Sequence, residues 1–176
     1  MSKVPYTISD IPYFVTLTVV GHTDFFTRMD YREEIIKNLE FCQRNKGLEI
    51  YAYVLMTNHL HMIAKGKETS LGEALRDFKS FTAKKMIAMM NENPKESRRE
   101  WLQSRFSFLS RIHARDARIQ FWARDNYPEE IETDWFFRQK EAYIHENPVR
   151  AGFVARPEDW YFSSASPASP LTVCRV

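Results

Sequence analysis

The sequence predicts an α+β domain: a ferredoxin-like antiparallel sheet with helices packed on one face. Short apolar segments suited to strands alternate with capped helical periodicities, in the order strand, helix, strand, strand, helix, a less certain strand, helix. The 176 residues are 44% hydrophobic and 14% aromatic, which is enough to close one core and excludes extensive disorder. We expect one domain over residues 1–162, followed by a Ser/Pro-rich surface tail over residues 163–176.

The first half of the chain contains three predicted strands and one predicted helix. Residues 13–20 are rich in β-branched and aromatic side chains, which favour a strand. Helical spacing of apolar residues predicts a helix over 31–46, and a glycine follows it. Two further apolar runs, 48–56 and 60–65, predict strands joined by a tight turn.

The second half is predicted to be mainly helical. Ser70 and Glu73 form a capping box, which predicts a helix starting directly after Ser70. The Arg-rich region 95–118 is compatible with a short helix and a strand, or with an extended loop. A third helix is expected over Asp134–Asn147, because Pro148 disfavours its continuation.

The net charge of +2 is the sum of two opposed regions. Residues 76–118 carry 11 basic and five acidic side chains, a net charge of +6. Residues 124–146 carry three basic and seven acidic side chains, a net charge of −4. A basic region within a nearly neutral chain is compatible with a polyanionic partner.

The chain shows neither a secretory signal pattern nor an apolar run long enough to span a bilayer. We therefore expect a soluble, cytoplasmic protein without a membrane partner. Cys42 and Cys174 have neither the CxxC spacing of a metal site nor the density of a disulfide scaffold, so we interpret them as inert thiols.

The first candidate site is the pair His59 and His61 at the start of a predicted strand. Residues i and i+2 of a strand project from the same face, so the two imidazoles can share one metal ion. The alternative is that both are ordinary surface or core histidines.

The second candidate is Tyr143, with Asn147 four residues later. On a helix these side chains lie about 40° apart on one face. A tyrosine hydroxyl has an ordinary pKa near 10 and needs activation or positioning to act as a nucleophile. A metal held by His59, His61 and the Asn147 carboxamide oxygen is able to polarise a phosphate for attack by Tyr143. Spacing alone favours the alternative, in which Tyr143 is a core residue and Asn147 ends the helix.

The third candidate is the basic region, in which aromatic residues are interleaved with positive charges. Aromatic rings that stack on bases, beside cations that bind phosphates, are typical of single-stranded nucleic-acid binding. An amphipathic helix with a solvated basic face explains Phe78 but not the number of arginines. The candidate DNA-binding residues are Lys79, Lys84, Lys85, Arg98, Arg99, Arg105, Arg111, Arg115 and Arg118.

Two segments together resemble a known family. YAYVLMTNHLHMIAK resembles the HUH motif region (His, hydrophobic, His) of single-tyrosine transposases, and EAYIHENPVRAGFV resembles the helix of that group that bears the nucleophilic tyrosine. The match is closest to the REP-associated tyrosine transposases, and weaker similarity extends it over about residues 10–166.

The resemblance implies a ferredoxin-like core, a divalent metal (Mg²⁺ or Mn²⁺) and a single-stranded or hairpin DNA substrate. It implies His59 and His61 as metal ligands, Tyr143 as the catalytic nucleophile that forms a 5′-phosphotyrosine intermediate, and Asn147 as the third ligand. Because Pro148 follows Asn147, Glu146 and Gln139 remain alternative ligands.

Several alternatives remain open at this point. His145 lies about 200° from Tyr143 on the helix, so we interpret it as a packing or surface residue. The chain is compatible with a monomer and with a homodimer that exchanges the tyrosine helix. A hairpin-binding regulator without cleavage is the alternative function; an RNA-binding domain and a structural zinc site are less well supported, because the sequence lacks an RNP-like motif and four closed Cys/His ligands.

Overall fold

The computed structural model describes residues 9–113 and 120–175, which form a four-stranded sheet and four α-helices. The elements in chain order are β1 (Tyr13–Thr18), α1 (Met29–Lys46), β2 (Leu48–Leu55), β3 (His59–Gly66), α2 (Leu71–Glu92), α3 (Arg99–His113), β4 (Glu129–Glu130) and α4 (Asp134–Arg150). None of the helices within these ranges combines the length and the apolar character needed to cross a membrane.

The sheet has the strand order β2-β3-β1-β4, and all neighbouring strands are antiparallel. The predicted α+β, ferredoxin-like fold is confirmed. In the register of this sheet, His61 lies opposite Thr16 of β1 and Val54 of β2, and His59 lies opposite Thr18. The two histidines therefore lie on a central strand, with neighbours on both sides.

Helices cover both faces of the sheet. The face that carries Leu17 and Leu60 forms the main core with α1 and α2. The opposite face packs against α4, where Val54 and Ile63 form a smaller core with Ile144. The sequence predicts helices on one face of the sheet. This is correct for α1 and α2, but α4 packs on the opposite face. Residues 60–64 of β3 are all buried, as expected for a strand covered on both faces.

Helix α4 is one turn longer than the sequence predicts. The expected end at Asn147 is wrong, because the helix continues through the buried Pro148 to Arg150. The Ala151 N–H donates to the carbonyl of Asn147, at 3.0 Å. Asn147 therefore keeps helical geometry, and its side chain lies on the same helical face as that of Tyr143.

The Arg-rich region is helical where the structure describes it. Residues 99–113 form α3, so the expected strand or loop does not occur there, and residues 114–119 lie outside the described ranges. The fourth strand is instead the two-residue β4, which pairs with Tyr13 and Phe14. A two-residue strand has too few residues to show the alternating pattern on which strand prediction relies.

The segment after Ser163 is not a surface tail, so that expectation is wrong. Ser163 and Leu171 are buried, and Ser163 forms an isolated bridge with Val54 of β2. The N–H of Cys174 donates to the carbonyl of Ile50, at 2.7 Å. β2 is an edge strand whose backbone groups need hydrogen-bond partners, and this segment supplies several of them.

Candidate active site

His59 and His61 form a close pair on the α4 side of β3. Their ring centroids are 4.6 Å apart, and the rings meet edge to face. His61 is buried, whereas His59 is partly exposed. The pairing inferred from the i, i+2 spacing is therefore present, and the partly exposed ring gives the pair access to solvent.

Both imidazoles are held through their Nδ1 atoms. Thr16 Oγ1 lies 2.8 Å from Nδ1 of His61, and Asn58 Oδ1 lies 2.6 Å from Nδ1 of His59. The Asn58 amide nitrogen donates to the carbonyl of His22, at 3.3 Å, which directs its oxygen toward His59. A carboxamide oxygen can only accept, so Nδ1–H of His59 donates and Nε2 keeps its lone pair. Oriented imidazoles of this kind are typical of metal ligands.

The surroundings favour neutral imidazoles. Burial, with smaller contributions from the nearby His59, Lys140 and Arg150, lowers the pKa of His61 to about 3. Burial also lowers the pKa of His59, although a side-chain hydrogen bond with Asn147 acts in the opposite direction. Only the neutral ring can coordinate a metal, so both side chains are in a suitable protonation state at neutral pH.

Tyr143 lies against this pair. Its ring meets His61 edge to face, with centroids 5.3 Å apart, and meets Phe14 in the same way at 5.8 Å. The guanidinium carbon of Arg150 lies 5.0 Å from the Tyr143 centroid. The residue is 36% exposed, so it is not the core tyrosine of the alternative interpretation and a substrate can reach it.

Asn147 lies close enough to His59 to raise the pKa of that imidazole, against the effect of burial. The alternative ligands Gln139 and Glu146 are both exposed on α4. Among residues 9–113 and 120–175, no group of three or more His, Cys, Asp or Glu is arranged to hold a metal. Two imidazoles and one carboxamide form a different donor set, which fits a divalent ion of intermediate hardness such as Mn²⁺ better than it fits Mg²⁺.

Four of the candidate DNA-binding residues hold the fold together. The Lys79 ammonium donates to the Ala123 carbonyl and to Asn126 Oδ1, and burial lowers its pKa to about 8. The other three donate to oxygens of this chain: Arg98 to Glu96 and the Asp24 carbonyl, Arg99 to the Asn93 carbonyl, and Arg105 to Thr23 and the Gly21 carbonyl. Three of the arginines in this region are therefore explained by hydrogen bonds within the chain rather than by DNA binding.

The remaining candidates are exposed where they are described. Lys84 and Lys85 lie on α2 and Arg111 lies on α3, whereas Arg115 and Arg118 lie outside the described residues. Of the interleaved aromatic residues, Phe78 and Phe106 belong to the core; Phe81, Trp101 and Phe108 are more than half exposed. The exposed cations and rings are the part of the region that can contact a nucleic acid.

Sequence reasoning missed Thr16, Phe14 and Arg150 as neighbours of the site. Thr16 and Phe14 approach His61 only through the β1–β3 register, for which the sequence contains no local signal. Arg150 follows Tyr143 by seven residues, a spacing that would have identified it if the helix had been extended past Pro148. His145 faces away as predicted: its Nε2 lies 2.9 Å from Ser164 Oγ.

Comparison with known proteins gives a family match over most of the chain. Residues 7–116 match the family model described as "Transposase IS200 like". This range includes His59 and His61 and ends before Tyr143. A comparison with curated proteins gave no significant match.

A likeness among solved structures extends further along the chain. A structure of a REP-associated tyrosine transposase bound to a REP hairpin is similar, with a TM-score of 0.58 and 21% sequence identity. The likeness covers 93% of this chain and 82% of that one. At this identity it supports the shared fold.

Proposed function

Because this chain belongs to the IS200-like transposase family, we propose that it is a single-stranded DNA endonuclease and strand transferase with Tyr143 as its nucleophile. One observation carries the proposal. The Tyr143 ring lies against His61 of the histidine pair, within one chain, and remains accessible to solvent. A nucleophile beside two oriented, neutral imidazoles is the arrangement that metal-assisted phosphoryl transfer requires.

In the proposed reaction the Tyr143 hydroxyl oxygen attacks a DNA phosphorus. A bond forms between that oxygen and phosphorus, and the bond from phosphorus to the 3′ oxygen of the preceding nucleotide breaks. The phenol releases its proton to solvent, and the departing oxygen takes up a proton to become a free 3′-OH. The 5′-phosphotyrosine keeps the phosphoester, so attack by a 3′-OH reverses the step or joins two strands without an external energy source.

His59, His61 and Asn147 are the residues that would hold the divalent ion, Mg²⁺ or Mn²⁺. When bound, the ion supplies Lewis-acid polarisation of the phosphate. The chain itself orients both imidazoles through Thr16 and Asn58, and keeps the Tyr143 ring beside them through its contact with Phe14.

We propose hairpin DNA with flanking single strands as the substrate and the cytoplasm as the place of action. The similar solved protein is bound to a REP hairpin, and this chain shares its fold. Exposed Lys84, Lys85 and Arg111 are the described candidates for phosphate contacts. His61 and Tyr143 meet within one chain, so the proposed reaction does not require a partner to contribute the tyrosine.

The decisive experiment mixes the protein with labelled hairpin DNA and Mn²⁺ and looks for an adduct that survives denaturation. We expect an adduct with the wild type and none with Tyr143→Phe, which removes only the hydroxyl. Tyr161→Phe, another exposed tyrosine, is the matched control and should react normally. An adduct that persists in Tyr143→Phe would contradict the assignment. Hairpin binding without any adduct on palindromic substrates would favour the non-cleaving regulator.

A further inference from the structure

The extension of α4 past Pro148 places a cation over the nucleophile. Arg150 follows Tyr143 by seven residues, so the two side chains lie on the same helical face. Side chains on a helix tilt toward its N-terminus, and the long arginine side chain therefore reaches back over the preceding turns. Its guanidinium carbon lies 5.0 Å from the centroid of the Tyr143 ring.

Arg150 differs from the other cations of α4 in having no anionic partner. Lys140 Nζ lies 2.7 Å from Glu129, and Arg138 pairs with Glu141 at 3.1 Å. Within the described parts of the chain, no carboxylate forms an ion pair with Arg150, and its guanidinium instead contacts the Tyr143 ring. Its side chain is exposed, so its guanidinium donors are available to a ligand.

The position of this cation suits a phosphate. The guanidinium lies over the Tyr143 ring, and that ring contacts His61, so a positive charge stands beside the histidine pair. In the proposed reaction the attacked phosphate must lie within reach of both the Tyr143 hydroxyl and an ion held by that pair. Negative charge increases on its non-bridging oxygens as the phenol attacks, and a planar guanidinium is well suited to contact two phosphate oxygens at once.

We propose that Arg150 holds the Tyr143 ring in its attacking orientation and contacts the non-bridging oxygens of the phosphate that Tyr143 attacks. This inference rests on the proposed function for the phosphate contact. The contact with the ring is independent of it, because it exists in the protein without DNA. Lys140 is less suited to the same role, since its charge is compensated by Glu129.

The test compares Arg150→Met, which keeps much of the side-chain length without the charge, with Arg150→Lys, which keeps the charge without the planar fork. At saturating hairpin DNA and Mn²⁺, we expect adduct formation to slow about 100-fold in Arg150→Met and about tenfold in Arg150→Lys. The dissociation constant of the hairpin should change less than about threefold, because most backbone contacts remain. Arg138→Met, on the same helix and also over an aromatic ring, is the matched control and should keep the wild-type rate.

A second readout follows the ring itself in the absence of DNA. With fluorotyrosine incorporated, the ¹⁹F resonance of Tyr143 is identified by its loss in Tyr143→Phe. We expect this resonance to shift in Arg150→Met and to stay in place in Arg138→Met. If Arg150→Met does not fold, Arg150→Lys carries both measurements.

The outcomes separate the inference from the function on which it rests. Wild-type rates in Arg150→Met would overturn the phosphate contact while leaving the proposed function intact. An unchanged ¹⁹F resonance would overturn the contact with the ring. If the wild type forms no adduct on any hairpin, the proposed function fails together with the phosphate contact, and the resonance still decides whether Arg150 orients Tyr143.

Discussion

The imidazole of His61 and the phenol of Tyr143 meet edge to face at 5.3 Å, although the two residues are 82 positions apart in the chain. Two features of the fold produce this contact. β3 is a central strand that directs His61 toward the face covered by α4, and Ile144 anchors α4 to that face through a buried contact. The position of Tyr143 therefore depends on a small, separate core.

We expect Thr16→Val to weaken metal binding without unfolding the protein. The variant keeps the shape of the side chain and loses the oxygen that holds Nδ1 of His61. Loss of such an orienting hydrogen bond typically costs about 10- to 100-fold in metal affinity. Calorimetric titration with Mn²⁺ measures the effect, with Thr18→Val on the same strand as the control. Equal Mn²⁺ affinities in the two variants would contradict the orienting role.

Asn147→Ala tests the proposed third ligand directly. Because the Asn147 side chain lies beside His59, we expect its removal to reduce Mn²⁺ affinity at least tenfold. Gln139→Ala and Glu146→Ala remove the two alternative ligands, both exposed on the same helix, and should bind Mn²⁺ normally. The same titration decides among the three. A loss of affinity in either control and not in Asn147→Ala would reassign the ligand.

His61 should make stability depend on pH below neutrality. An unfolded chain protonates this histidine near pH 6.5, whereas burial holds its pKa in the folded protein at about 3. Acid therefore favours the unfolded state: the contribution is complete above pH 6.5 and declines as the pH falls toward 3. Between pH 6.5 and 4.5 the wild type should lose about 2 kcal/mol more unfolding free energy than His61→Asn. Urea unfolding at both pH values checks this, and identical losses would contradict it.

The exposed lysines of α2 should contribute to DNA affinity, and the partly buried Lys79 should contribute to stability. Lys84→Ala and Lys85→Ala are each expected to weaken hairpin binding and to reduce the salt dependence of the affinity by about one ion. Lys79→Met should instead lower the free energy of unfolding, because Ala123 and Asn126 lose their donor. Binding titrations at several salt concentrations and thermal unfolding separate the two effects. Equal behaviour of all three variants would contradict this division.

The charge count of residues 76–118 predicted only part of the role of its basic side chains. Its net charge predicted a DNA-binding surface, yet Arg98 and Arg105 donate to backbone carbonyls of this chain. A count of charges cannot distinguish an arginine that faces solvent from one whose donors are already used. That distinction depends on where α3 lies against the rest of the fold.

The sequence by itself determined the order of the main elements, the shared face of His59 and His61, and the shared face of Tyr143 and Asn147. These follow from periodicities of two and 3.6 residues, which act over short distances in the chain. Tertiary structure alone decided that α4 covers the second face of the sheet, that it continues past Pro148 to Arg150, and that Thr16 supports His61. Those outcomes depend on strand register and on the burial of Pro148 and Ile144, which arise from contacts between segments distant in the chain.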